Sequence, residues 1–312
     1  MIEVQHVTKR YGDKVAVDGL TFTVRPGTIT GFLGPNGAGK STTMRMIVGL
    51  DAPSSGTATV NGRSYLDFQA PLHEVGAMLE ARAIHTGRSG YDHLRVLALT
   101  HGIPMSRVDE VIKLVGLEDV ARKRVGGFSL GMGQRLGIAA ALLGDPETVI
   151  LDEPVNGLDP EGIRWVRNLL KSLAREGRTV FLSSHMMSEM ALTAEHLVVV
   201  GRGRLIADTT VDDFVRQASV GAAVVVRTPE AARLREDLIE TGATVSSDER
   251  GVLEVHGPTS EQIGALAHDA GIMLYELSPQ QVSLEDAFMR ITRDAVEYKT
   301  QTTDDEDLEL VA

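Results

Sequence analysis

Across 312 residues the chain is 43% hydrophobic, enough for a sizeable core and for one large domain plus a smaller one. It has no cysteine, which excludes disulfides and thiolate zinc sites and is compatible with a reducing compartment. A formal net charge of −12 argues against a general nucleic-acid binder, and no apolar run, such as Ile138–Leu143 or Leu197–Val200, reaches bilayer length.

In chain order, the sequence enters a strand at Ile2–Val7 with no signal-peptide pattern. Strand-like runs follow at Thr21–Val24 and Thr28–Leu33. Directly after the last run, Gly34-Pro35-Asn36-Gly37-Ala38-Gly39-Lys40-Ser41-Thr42 fits G-x-x-x-x-G-K-[ST], a loop that holds nucleotide phosphates. Its glycines let backbone N–H groups converge on phosphate oxygens without a Cβ clash. Lys40 supplies a mobile positive charge, and the Ser41 hydroxyl can ligate Mg²⁺. Thr42–Leu50 reads as the following helix, whose N-terminal dipole favours the same anion.

Val75–Leu79 is the next strand. From about Ala81 to Gly144 the pattern is helical, around Tyr91–Thr100, Val108–Val115 and Gly131–Leu143, as expected of a helical insert. Strands resume at Val149–Leu151, Thr179–Ser183 and Leu197–Val200, with helical patterns between many of the strands. This alternation predicts an α/β core with a largely parallel sheet. A short helix at Val211–Gln217 ends the first domain, residues 1–217.

Residues 218–298 change texture. Strands at Ala222–Arg227, Ala243–Ser247, Gly251–Val255 and Met273–Leu277 alternate with helices at Pro229–Glu240, Ser260–Asp269 and Ser283–Arg293. That order predicts a small α+β domain of the ferredoxin-like kind. Residues 299–312, with Asp304-Asp305-Glu306-Asp307, read as a disordered acidic tail.

A second nucleotide signal ends the strand at Thr148-Val149-Ile150-Leu151, where Asp152 and Glu153 stand at its C-terminal edge. Asp152 is placed to hold Mg²⁺ directly or through water, and Glu153 to polarise an attacking water. Shortly before that strand, Gly127-Phe128-Ser129-Leu130-Gly131-Met132-Gly133-Gln134-Arg135 opens a helical run.

This last stretch resembles the signature of ABC-transporter ATPases, usually Leu-Ser-Gly-Gly-Gln. Here the five positions are Phe128-Ser129-Leu130-Gly131-Met132; three depart, but Ser129 and Gly131 remain. Their hydroxyl and backbone N–H can reach a phosphate at a helix N-terminus. Under the same resemblance Tyr11 is the aromatic on which adenine stacks, although it also reads as an ordinary strand-end aromatic. Asn156-Gly157-Leu158-Asp159 is similar to the D-loop at the dimer interface, and equally serves as a turn and cap before Pro160. His185, in Leu182-Ser183-Ser184-His185, resembles the switch histidine that contacts the γ-phosphate. Glu80 stands where the family usually has a glutamine. A carboxylate there can still bind Mg²⁺, but it adds repulsion near the phosphates. Glutamate at this place resembles cassettes that drive exporters of antibiotics and peptide bacteriocins.

The resemblance spans about Ile2 to Gln217 and implies a P-loop NTPase of the ABC ATPase type, with a helical subdomain over about 81–144. It implies ATP and Mg²⁺ as cofactors and Glu153, His185 and Lys40 as catalytic groups. ATP would be held by Tyr11, the loop Gly34 to Thr42 and Asp159, and the metal by Ser41, Asp152 and Glu80. With one phosphate loop and one signature, it implies a head-to-tail homodimer in which Ser129 and Gly131 serve the other copy's nucleotide. The further partner is a separate polytopic membrane permease, with the chain on the cytoplasmic face and no nucleic acid bound. The activity implied is ATP hydrolysis powering export of a drug-like, antibiotic, peptide or lipid substrate. The alternative, a soluble ABC ATPase with a non-transport partner, would normally carry two cassettes and a basic linker, which this chain lacks.

Overall fold

The computed structural model describes residues 1–80, 84–219, 223–247, 249–280 and 282–292. The acidic tail expected over 299–312 and the stretch 293–298 lie outside them. Contacts divide the chain into two compact units, the second gathering Met187–Ala191 and Thr209–Ile291.

The first unit begins with a hairpin of β1 (Ile2–Tyr11) and β2 (Lys14–Val24), antiparallel and joined by Gly12 and Asp13. With β4 (Ser55–Val60) they form a three-stranded sheet in the order β2-β1-β4. The alternation of strands and helices predicts a largely parallel sheet, but these first strands stand apart from it. A two-residue connection forbids parallel pairing of β1 and β2, because parallel neighbours need a crossover of a dozen residues or more.

The second sheet is the core of the unit. It has six strands in the order β5-β6-β7-β3-β8-β9: β5 (Val75–Met78), β6 (Thr148–Leu151), β7 (Thr179–Ser183), β3 (Ile29–Leu33), β8 (His196–Gly201) and β9 (Arg204–Thr210). The pairs from β5 through β8 are all parallel. β3, β6 and β7 are buried along their whole length, as continuous apolar runs between covered faces should be. Phe22 of β2 meets Phe32 and Phe181 of the parallel sheet at ring-centroid distances of 5.5 and 5.7 Å, so the two sheets share one core. Met44, Met46 and Ile47 of α1 (Lys40–Ile47) fill the same cluster.

The helical insert is built from α2 (Gly90–Thr100), α3 (Met105–Leu114) and α4 (Leu130–Leu142), close to the predicted segments. α4 packs on β5 and β6, while α5 (Pro160–Arg175) packs on β7 and β3. α5 buries Val166, Leu170, Leu173 and Ala174, spaced as one face of a helix. α6 (Met187–Thr193) precedes β8.

The second unit contains α7 (Val211–Ser219), β10 (Val224–Arg227), α8 (Ala231–Glu240), β11 (Thr244–Ser246), β12 (Val252–His256), α9 (Ser260–Asp269), β13 (Glu276–Pro279) and α10 (Leu284–Thr292). Its sheet is antiparallel in the order β11-β12-β10-β13. Leu234, Leu238, Leu253, Val255 and Ile263 form its own core. β13 lies three residues later than the expected Met273–Leu277: Met273 and Tyr275 are exposed, and Pro279, which cannot donate to a ladder, ends this edge strand. The unit also takes in α7, whereas the sequence put the boundary after Gln217.

Candidate functional site

β3, β6 and β7 are parallel neighbours, so their C-terminal ends share one edge of the sheet, where ligands bind in open α/β folds. The phosphate-type loop leaves β3, Asp152 and Glu153 leave β6, and Ser183 ends β7 with Ser184 and His185 following it. A cleft of about 490 Å³ at this edge is lined by Tyr11, Lys14, Ala16, the loop from Asn36 to Thr42, Asp152 and Glu153.

The loop has the shape its spelling predicts. A Cβ on Gly34 would collide with the Val200 carbonyl oxygen, and one on Gly39 would lie 2.6 Å from the Ala16 carbonyl oxygen. Gly39 also has φ of 97°, in the left-handed region that favours glycine. It is the N-cap of α1 but offers no side-chain cap, whereas α2, α4 and α5 are capped by Ser89, Ser129 and Asp159. The first N–H groups of α1 are thus left for an anion.

Lys40 Nζ donates to the carbonyls of Gly34 at 2.5 Å and Pro35 at 3.2 Å. Burial lowers its ammonium below the ordinary lysine value, against the opposing pull of Glu153 and Asp152. The Ser41 hydroxyl donates to Asp152 Oδ2 at 2.8 Å, and the Ser183 hydroxyl donates to Asp152 Oδ1.

Glu153 is the junction of the site. Its Oε2 accepts from the His185 backbone N–H at 3.2 Å and lies 2.8 Å from His185 Nδ1. Its own N–H donates to Ser183 Oγ at 3.0 Å. It has φ of 52°, a conformation that costs a residue with a Cβ on the order of 1–3 kcal/mol and clusters at active sites. An ionised carboxylate only accepts and an imidazole N–H can donate, so the contact is a hydrogen bond that an exposed His185 side chain can make through Nδ1.

Tyr11 is 48% exposed, with its hydroxyl bonded to Asp51 Oδ2 at 3.1 Å and Lys9 Nζ 4.9 Å from the ring centroid. Glu80 is exposed, two residues beyond the end of β5, and is not among the residues lining the cleft. Ser129 and Gly131 are not among them either. Ser129 caps α4, accepting from Met132 N–H at 3.2 Å, and lines a separate cleft of about 440 Å³ with Phe128 and Leu130. Asp159 caps α5, its Oδ1 accepting from Gly162 N–H at 2.9 Å.

Two further residues that no sequence pattern marks belong to the site. Ser183 bridges Asp152 and Glu153, and buried Gln134 reaches the Glu153 carbonyl. Both lie inside the signature and histidine motifs, but no spacing rule reports a bond to an atom distant in the chain.

A family model described as "ABC transporter" matches residues 17–156. Along nearly its whole length the chain is 37% identical to an uncharacterized ABC transporter ATP-binding protein of Bacillus subtilis, over 95% of this chain and 97% of that one. The chain belongs to the ATP-binding proteins of ABC transporters. It is also 36% identical to the bacitracin transport ATP-binding protein of Bacillus licheniformis, over 93% of this chain and 97% of the other. Among solved structures, an ATP-binding subunit of an ABC transporter matches with a TM-score of 0.64 and 28% identity, over 70% of this chain and 92% of that one. A second family model, described as a domain of unknown function, matches residues 222–285. As an ABC ATPase the chain binds and hydrolyses ATP to drive transport, and the α/β unit carries that activity. Among the described residues no helix is long and apolar enough to cross a membrane.

Proposed function

We propose that this ABC ATPase powers export of an antibiotic-like or peptide substrate, working as a head-to-tail homodimer on a separate membrane permease at the cytoplasmic face. Similarity to a bacitracin transport protein supports the cargo class. The dimer rests on one observation: Ser129 and Gly131, the residues fitted to a nucleotide phosphate, stand outside the cleft that Lys40, Asp152 and Glu153 form. A second copy facing the cleft would supply them.

In this reading Tyr11 stacks on the adenine, the backbone from Gly34 to Thr42 wraps the phosphates, and Lys40 leaves its carbonyl partners for phosphate oxygens. Asp159 orders the turn that faces the partner. Glu153 takes the proton of the attacking water, and His185 Nε2 meets the γ-phosphate. Positioning and charge stabilisation supply most of the catalysis in such phosphoryl transfers.

The donor set fits Mg²⁺. The Ser41 hydroxyl and Asp152 carboxylate are hard oxygen ligands 2.8 Å apart, and Mg²⁺ keeps waters and takes few protein ligands. When bound, the ion neutralises charge on the β- and γ-phosphates. Glu80, exposed two residues beyond the end of β5 and outside the cleft lining, would be the third carboxylate or hydroxyl oxygen offered to the ion.

Glu153→Gln tests the reading. Hydrolysis should fall by roughly 10²–10⁴-fold, ATP binding should persist, and ATP-loaded dimers should accumulate in light scattering. Native hydrolysis in that variant would refute Glu153 as the base.

A further inference from the structure

Gln134 is 3% exposed, in the middle of α4, where water cannot satisfy its amide. Its Nε2 donates to the backbone carbonyl of Glu153 at 2.7 Å. The same carbonyl also accepts the Asn156 N–H, at the longer distance of 3.2 Å. On the other side of the residue, the Glu153 N–H is held by Ser183 Oγ at 3.0 Å. Between these anchors the Glu153 backbone has φ of 52°, which a residue with a Cβ leaves unless its surroundings over-determine it. No strand ladder or helix holds it there, since β6 ends at Leu151 and α5 begins at Pro160. If that backbone relaxed, the carboxylate would swing away from His185 and from the cleft.

We propose that Gln134 is a positioning residue for ATP hydrolysis: its buried amide locks the left-handed backbone of Glu153 and so aims the carboxylate at the attacking water. The proposal rests on reading Glu153 as the general base. It makes the hydrolytic geometry depend on a side chain carried by α4, the helix that Ser129 caps. A displacement of the base by about an ångström is enough to cost on the order of 10²-fold in rate.

The test compares ATPase kinetics and ATP affinity in the full chain for Gln134→Met, Gln134→Glu, Glu153→Gln and the Gln134→Met/Glu153→Gln double variant. Methionine keeps the length and loses the donor, so kcat should fall on the order of 10²-fold while KM and ATP affinity hold. In the Glu153→Gln background the same change should remove nothing further. Burial at this position favours the neutral form of a glutamic acid at 134, whose O–H can still donate, so its kcat should stay well above that of the methionine variant. Trp165, the only tryptophan, gives a fluorescence check that each variant is folded. Native kcat in Gln134→Met, equal losses in the methionine and glutamate variants, or a loss that persists without Glu153 would each overturn the proposal. If methionine prevents folding, the glutamate variant decides alone: retained kcat supports the role and a collapse removes it. Native hydrolysis in Glu153→Gln would instead bring down the base assignment itself, whatever the Gln134 variants do.

Discussion

Lys40 is the residue at which charge and burial oppose each other. Its ammonium is held against its own loop carbonyls, and burial lowers it below the ordinary lysine value. In the pH range between the folded and unfolded values the unfolded chain binds more protons, so this group's penalty on stability is present at lower pH and lifts as pH rises. Phosphates at the loop reverse the balance by favouring the charged form. ATP binding at alkaline pH should therefore take up protons. Calorimetry in two alkaline buffers of unlike ionisation enthalpy should give different apparent enthalpies, and the difference should vanish in Lys40→Arg, whose guanidinium stays charged. Equal enthalpies for the native chain would count against this account. Lys40, Ser41, Asp152 and Glu153 were legible in the sequence because each belongs to a short pattern with a chemical reason for its spacing. Gln134 and Ser183 are not, because their roles lie in atoms of Asp152 and Glu153 that only folding brings beside them.

The elements place those residues by packing. α4 lies so close to β5 that a Cβ on Gly76 would collide with the Ala141 carbonyl oxygen. Gly76→Ala should cost roughly 1–3 kcal/mol in urea denaturation, since the collision is with backbone that cannot rotate aside. A stability unchanged within error would show that α4 can shift from the sheet. The long amphipathic or fully apolar elements were read from periodicity. β4 and β9 were missed: Ser55–Val60 and Arg204–Thr210 are mostly exposed or half-buried and polar, and their strand character comes from a neighbour's ladder. For β13 the apolar Met273 and Tyr275 point to a strand at Met273–Leu277, while pairing with β10 selects Glu276–Pro279.

At the scale of the whole molecule, the proposed dimer makes a prediction that no single chain can satisfy. Lys40→Ala should disable the cleft of its own chain, and Ser129→Arg the nucleotide facing its partner. Each variant alone should hydrolyse little ATP. Mixed together they form heterodimers with one intact composite site, built from Lys40 of one chain and Ser129 of the other, and activity should return in part. A mixture no better than its components would argue that the signature acts within its own chain. The second unit has its own core of Leu234, Leu238, Leu253, Val255 and Ile263, and so is held together independently of the nucleotide cleft.

The sequence alone determined the chemistry: a phosphate loop, a carboxylate pair after a buried strand, a histidine after the next strand, and a Ser-capped signature helix. Those features are local, and local patterns survive without a fold. The tertiary structure alone decided which strands are neighbours, and therefore that the ends of β3, β6 and β7 bring Lys40, Asp152, Glu153 and His185 to one edge. It also decided that the first hairpin forms a separate antiparallel sheet, and that Gln134 and Ser183 grip the Glu153 backbone. These depend on non-local pairing and close packing, in which the energy of a contact is set by residues far away in the chain.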